Sequence, residues 1–264
     1  MILAALEPTL NRLLLASLLA SAACQATDST EKVFKYDAGT FTRVDVRAIA
    51  GSLTVKKGAS GVVNAVLSWR GDVQPEISSR LAGETLIVSS ECPLKAKACS
   101  VDLELTVPDT TAVDIEKVDG DVEVHDIAGD VDVVAENGTL SLIDVSGDAR
   151  LNLIDVDLTL DGVTGRFDVA SDHGAVKGQV LSAPTASVSA QKGDVDLSFT
   201  TIPDLVDVTT DVSDILIALP NGDYDIDAVS RRGTVTIDGL TNTPDAGSVI
   251  VAHSTRGNIV VNGR

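Results

Sequence analysis

The chain has 264 residues, a formal net charge of −19 and an apolar share of 44%, enough to build a core and too much for a wholly disordered acidic chain. Phosphate neutralisation needs a basic face, so this balance excludes nucleic acid as a partner. The acids are skewed to 30 Asp against 9 Glu, and after Glu136 another 18 Asp follow with no Glu; Asp favours turns and caps where Glu favours helices, so a helical second half is nearly excluded.

Residues 1–23 read as a signal peptide. The apolar run Leu13–Ala20 is too short to cross a hydrocarbon layer of about 30 Å, and it ends in Ser21-Ala22-Ala23 before Cys24, as a secretory cleavage region does. The segment resembles a bacterial lipoprotein signal, which implies lipidation of Cys24 and a membrane anchor. Ordinary cleavage after Ala20-Ser21-Ala22 is the alternative, leaving Cys24 as a free thiol. Residues 24–32 are polar, lack apolar periodicity and read as a flexible tether. Cys92 and Cys99 are the remaining thiols. An exported compartment favours a disulfide between them, and two Cys with no nearby His cannot complete a zinc site.

Residues 33–110 carry β-like alternation, as in Val62-Val-Asn-Ala-Val-Leu and Val101-Asp-Leu-Glu-Leu-Thr-Val, and four of the seven aromatics. They read as an N-terminal β cap for the region that follows. From 111 to 264 the pattern becomes a repeat. Gly stands at 120, 129, 138, 147, 165 and 174, with Val156 in the one vacancy, a constant step of nine. Taking every second step, the apolar pairs are Val122/Val124, Leu140/Leu142, Leu158/Leu160, Val176/Gly178, Val195/Leu197, Ile215/Ile217, Val235/Ile237 and Ile259/Val261. The interleaved pairs run Val131/Val133, Ala149/Leu151, Phe167/Val169, Ala186/Val188, Val206/Val208, Tyr224/Ile226 and Val249/Val251. Alternation with period two places each pair on one face of a short strand. Two strands and two turns per 18–20 residues make a rung, and stacked rungs bury the pairs. The expected fold is therefore an all-β parallel β-solenoid, β-helix-like, with two short strands per rung. Ile127, Val145, Ile154, Val163 and Leu181 are expected to plug the corners. The last strand, Asn258–Asn262, is expected to be an exposed edge through which two copies could self-associate.

Val44-Asp-Val-Arg-Ala-Ile-Ala-Gly-Ser-Leu-Thr-Val55, Leu105-Thr-Val-Pro-Asp109 and Val118-Asp-Gly-Asp-Val-Glu-Val124 resemble the bacterial cell-envelope "putative adhesin" family with β-strand repeats, a domain of unknown function. The resemblance implies a structural or adhesion scaffold at the cell envelope, facing the periplasm or the surface, with the outer membrane as its expected anchor. It implies an unidentified envelope protein or glycan as partner and carries over no catalytic residues. Links of some members to envelope-stress regulation imply a sensing role as an alternative.

Neither catalysis nor a cofactor is expected. A carbohydrate-active β-helix enzyme is the alternative, since solenoids host such chemistry, but His125, His173 and His253 recur at no useful spacing and aromatic sugar platforms are scarce after residue 70. A calcium-stabilised module is another alternative. Stacking predicts alternating signs at Asp132, Arg150 and Asp168, and like on like at Asp130/Asp148 and Asp194/Asp214. Asp194, Asp196 and Asp214 are accordingly the calcium candidates, with solvated turn Asp as the simpler reading.

Overall fold

A short strand with one apolar face cannot bury it alone. In the computed structural model, which describes residues 27–37, 39–93 and 98–264, the chain meets this need by winding into a flattened coil with two β walls. The N-terminal part supplies β1 (Asp28–Tyr36), β2 (Arg43–Ala50), β3 (Leu53–Lys57), β4 (Gly61–Trp69), β5 (Glu76–Ala82), β6 (Thr85–Glu91) and β7 (Cys99–Val107). The regular coil follows with β8 (Ala112–Asp119), β9 (Val122–His125), β10 (Val131–Ile143), β11 (Ala149–Asp161), β12 (Phe167–His173), β13 (Val176–Leu181), β14 (Thr185–Lys192), β15 (Val195–Phe199), β16 (Leu205–Val212) and β17 (Ile215–Leu219). The chain closes with β18 (Asp223–Ser230), β19 (Val235–Asp238), the two-residue β20 (Thr241–Asn242), β21 (Val249–Arg256) and β22 (Ile259–Gly263).

β10 and β11 each bend through a corner and serve both walls, so Val131 lies beside Ala149 in one wall and Leu140 beside Leu158 in the other. The first wall runs β5–β6–β2–β8–β10–β11–β12–β14–β16–β21–β18. The second runs β1–β4–β7–β3–β9–β10–β11–β13–β15–β17–β22–β19. All neighbours are parallel except at the N-terminal end, where β5, β4 and β1 add antiparallel strands. The expected parallel β-solenoid is the observed fold.

The core is a set of in-register ladders between the walls. Val44, Val113, Val131, Ala149, Phe167, Ala186, Val206 and Ile250 form one, all buried. The large Phe167 stacks between the small Ala149 and Ala186, which holds the volume of each layer near constant. Gly178 leaves a gap in the opposite ladder, filled from both sides: a Cβ there would lie 2.7 Å from Leu181 and 2.9 Å from Leu197. Across a bulge between Gly178 and Leu181 the step falls from 19 residues, Gly178 beside Leu197, to 18, Leu181 beside Phe199, and Val180 there, at φ 54°, repeats the left-handed corner angle of Asp126 and Asp144.

Five expectations need correcting. Asp28–Lys32, read as tether, form the first half of β1 and pair antiparallel with Ala65–Trp69 of β4, because β4 presents an edge that polar residues can complete through backbone bonds alone. No boundary falls at 110. Inside the supposed cap, β6–β7 and β2–β3 are already full rungs, the first closed at its corner by the Cys92–Cys99 disulfide. Ile154 does not plug a corner. Ile127, Val145, Val163 and Leu181 fill the wide turns, whereas the alternate corners are tight bends within continuous strand, and Ile154 points out, 42% exposed. The inward pair of β21 is Ile250/Ala252, not Val249/Val251, since Val206 registers on Ile250 and Val208 on Ala252. An apolar run at both phases cannot declare its own face, and the pairing decides it.

The fifth correction concerns the end of the coil. β22 is not an edge: it lies between β17 and β19. The edge strands there are β18 and β19, and the inward ladder positions Val235 and Ile237 are 41% and 39% exposed because no rung covers them. Asn242 shelters part of the β18 edge, its Oδ1 accepting the Ile226 N–H at 3.0 Å and its Nδ2 donating to the Ile226 carbonyl at 3.2 Å.

Stacking brings the corners into backbone contact. Gly138 has φ 122°, and a Cβ there would lie 2.3 Å from the Gly120 carbonyl oxygen of the rung beneath. Gly138→Ala must both adopt a left-handed angle and push two rungs apart. We expect it to lose about 2–3 kcal/mol of stability in denaturant titration; a loss below about 0.5 kcal/mol would show that the corner yields freely.

Candidate interaction face

At each corner one backbone N–H faces the neighbouring rung with no strand carbonyl opposite. Where an Asp follows the corner Gly, or follows Val156 at the one vacant step, its carboxylate answers it. The carboxylate of Asp130 accepts the Asp148 N–H at 3.2 Å, and Asp148 accepts the Arg166 N–H at 3.1 Å. At the other corner Asp121 accepts the Thr139 N–H at 3.1 Å and Asp157 the Ala175 N–H at 2.8 Å. The expected stacking of Asp130 on Asp148 and of Asp194 on Asp214 is present, and an amide proton lies between the charges each time.

The calcium candidates share this arrangement. Asp194 accepts the Asp214 N–H at 3.1 Å and Asp214 accepts the Asn258 N–H at 2.7 Å, while Asp196 stands on the outer face of β15 beside Lys177 and Leu216. Among the described residues no three His, Cys, Asp or Glu side chains gather as a metal-holding group. The three His are dispersed as well: His125 lies 3.3 Å from Glu123, His173 3.4 Å from Asp155 and His253 3.2 Å from Asp227. Cys24 lies outside the described residues.

The outer face of the first wall gathers a more varied set. Asp132, Arg150 and Asp168 stack with alternating sign as expected, Arg150 lying 3.7 Å from Asp132. Below them Asp45, Asp114 and Asp132 stack like on like. Arginines from the edge of this row compensate. Arg43 forms a two-pronged pair with Asp114, and Arg47 reaches Asp45 at 3.3 Å and Glu116 at 4.0 Å. The hydrogen bond to Asp114 is the main reason the Arg43 guanidinium is held above its ordinary pKa. Through this charged lattice runs a broken apolar strip of four exposed side chains: Ile49 and Val118 are ladder neighbours, Glu136 separates Val118 from Ile154, and Val134 lies two residues to one side between Glu116 and Asn152. Shallow hollows open on the face, two of them among the charged groups. One is lined by Arg43, Arg47, Asp114, Glu116 and Val134, the other by Thr209, Asp227, Val229, Arg231 and His253.

Beneath the face lies a group that sequence reasoning passed over. Lys117 occupies the inward phase of Val113-x-Ile115-x-Lys117 and is 1% exposed. Its ladder neighbours are Ala48 and Ala135, small enough to admit its stem, and its Nζ donates to the Asp119 carbonyl. Burial holds its pKa below the ordinary lysine value, opposed by the carboxylates of Asp119, Asp102 and Asp121. The signal was available: a charged residue at the apolar phase of a strand.

This is the architecture of a two-walled parallel β-solenoid whose outer faces carry charge lattices. The chain belongs to the Toastrack DUF4097 family, whose model matches residues 97–249. No curated protein matches the sequence. Among solved structures, a "putative adhesin" from Bacteroides fragilis is 14% identical, covers 89% of this chain and 97% of its own, and superposes with a TM-score of 0.50. A "putative cell adhesion protein" from Clostridium sporogenes is 9% identical over 90% of this chain and 100% of its own, with a TM-score of 0.30. A "putative lipid binding protein" from Parabacteroides distasonis is 10% identical over 90% and 97%, with a TM-score of 0.39. At 14% identity the likeness to the Bacteroides fragilis structure is one of fold.

Two predictions follow from the geometry. Asp194→Ala orphans the Asp214 N–H and should cost about 1 kcal/mol, whereas Asp196→Ala should stay within about 0.5 kcal/mol. The melting temperature of the parent should be the same in chelator and in millimolar calcium; a rise with calcium that Asp194→Ala abolishes would reinstate a cation there. The second concerns Lys117. Between its lowered folded pKa and the ordinary value near 10.4, the unfolded chain holds the proton that the folded chain has lost, so the parent gains stability as pH rises through that window. Lys117→Met keeps the stem and removes the ammonium. Its melting temperature should exceed the parent's by about 2–4 °C at pH 7, and the gap should narrow towards pH 10.

Proposed function

We propose that this chain is an exported, lipid-anchored envelope scaffold that docks a protein partner on the outer face of its first wall. The observation that carries this reading is the exposed strip of Ile49, Val118, Val134 and Ile154 set among the Arg43–Asp114 and Arg47–Glu116 pairs. Apolar contact area framed by polar pairs is how protein interfaces combine desolvation with register. A stiff stack of parallel rungs presents such a face without the ordering cost that a loop would bear.

A protein partner is favoured over a glycan by the placement of the aromatics. Phe167, Phe199 and Tyr224, which are all the aromatics beyond residue 70, are buried in the core, so none offers a stacking platform along the coil. The same absence weighs against the carbohydrate-active reading. So does the use of the corner carboxylates as acceptors for backbone N–H groups.

The anchor and the face can be tested in one series. Cys24→Ser should move the protein from the membrane to the soluble fraction of cells, and labelled fatty acid should be incorporated by the parent only; an unlabelled, soluble parent would remove the anchor from the proposal. Photo-crosslinkers placed at Val134 and Ile154 should capture one discrete envelope protein, while crosslinkers on the second wall at Thr159 and Lys177 should not. Equal capture from both walls would refute the assigned face.

A further inference from the structure

At its C-terminal end the coil is stacked out of chain order. β21 lies between β16 and β18, and β22 lies between β17 and β19, so residues 249–263 form the penultimate rung and β18–β19 the last. The two rungs that this segment separates fit each other without it. Leu205 and Asp225 both register on Val249, and Ile215 and Val235 both register on Ile259. The displacement between the outer rungs is thus 20 residues in each wall, the same as the step from Val195 to Ile215 one rung earlier.

The corners agree. A Cβ on Gly257 would lie 1.9 Å from the Ser213 carbonyl oxygen, and one on Gly233 would lie 2.0 Å from that of Gly257. Glycine is therefore present at 233 to sit equally well on Ser213. The corner acceptors also form a series: Asp214 takes the Asn258 N–H at 2.7 Å and Asn258 takes the Thr234 N–H at 3.1 Å. With the inserted rung withdrawn, Asp214 would present the same carboxylate to Thr234. The coil can close over the vacated slot in register, placing Ile226 and Ala228 on the apolar ladder of Val206 and Val208.

We propose that residues 248–263 are an exchangeable arm, which fills the slot of its own chain in one state and the slot of a second copy in another. The occupant is fixed by complementarity: the slot is lined on both sides by strands that already register on this segment, and a second copy offers the identical segment. Exchange preserves the burial of Ile250, Ala252, Ile259 and Val261 and both sets of strand pairings. The two states therefore differ mainly in the connection 239–247 and in concentration. That connection holds the non-glycine residue Asp245 at φ 64° beside Pro244, a strained hinge of the kind that favours swapping. The intermediate is stabilised because the slot closes in register when the arm leaves.

The test uses the full chain. Thr209 and His253 are partners on adjacent parallel strands of the first wall, at a strand separation that a disulfide can span. In a Cys24→Ser background, Thr209→Cys with His253→Cys forms an intramolecular bridge when the arm is in its own slot and an intermolecular bridge when it is exchanged. After unfolding and refolding at a series of protein concentrations, then oxidation, the covalent dimer on a non-reducing gel should rise in proportion to concentration. Light scattering of the unsubstituted chain, refolded in the same way, should show a dimer that persists on dilution and is lost only on unfolding. Intramolecular bridges at every concentration would overturn the proposal, even if scattering detected dimers, since those would form by another surface. Should the double variant fail to fold, a strictly monomeric unsubstituted chain at all refolding concentrations would overturn it equally.

Discussion

Everything in this structure depends on keeping successive rungs one strand spacing apart, about 4.8 Å, at the corners as well as along the walls. Along the walls the parallel ladder does this, each inner strand of the coil bonding to the one above and below. At the corners the chain turns and the ladder lapses. Two residue types restore contact there. Glycine lets the backbone lie on the carbonyl of the previous rung, as Gly138 does on Gly120. Aspartate, next in the chain, accepts the amide that the turn has left unpaired, as in the series Asp130, Asp148 and Arg166. An unpaired amide at a packed corner is costly, so the Asp residues at these corners meet a hydrogen-bonding requirement of the coil.

This alters the meaning of the charge. A net −19 spread at random would be a solvated coat, but many of these carboxylates have one oxygen committed to backbone. The remaining charge is organised by the stack itself, because residues one rung apart become neighbours. Arg150 is interleaved between Asp132 and Asp168, and Arg43 and Arg47 reach across to Asp114 and Glu116. Rows of this kind sit on a rigid wall and leave the apolar strip of Ile49, Val118, Val134 and Ile154 uncovered, a combination suited to recognition more than to chemistry.

Both ends depart from simple winding. At the N-terminal end β2–β3 lies between β6–β7 and β8–β9, and antiparallel β1, β4 and β5 close the flank. At the C-terminal end the β21–β22 rung is inserted beneath β18–β19. A parallel stack has no intrinsic stop, and an uncovered rung exposes both its apolar ladder and its backbone groups. Reordering rungs, adding antiparallel strands and placing Asn242 against β18 are three ways of finishing a coil whose middle is uniform.

What the sequence alone determined is the repeat and its consequence. A nine-residue step of Gly, Asp and alternating apolar residues requires short strands, parallel rungs and buried ladders, because each of these is a local demand made again at every rung. The Cys92–Cys99 bridge was legible for the same reason, as a short-range relation. Where neighbouring phases are both apolar, as in Val249-Ile-Val-Ala252, local pattern is silent and only the partner strand selects the inward face. The order of rungs at either end, the emergence of Ile154 on the surface and the meeting of Arg43 with Asp114 were decided by tertiary structure. Each depends on which segment lies next to which. That is settled by the competition to cover the two ends of the stack, for which a regular repeat offers several registers of nearly equal merit.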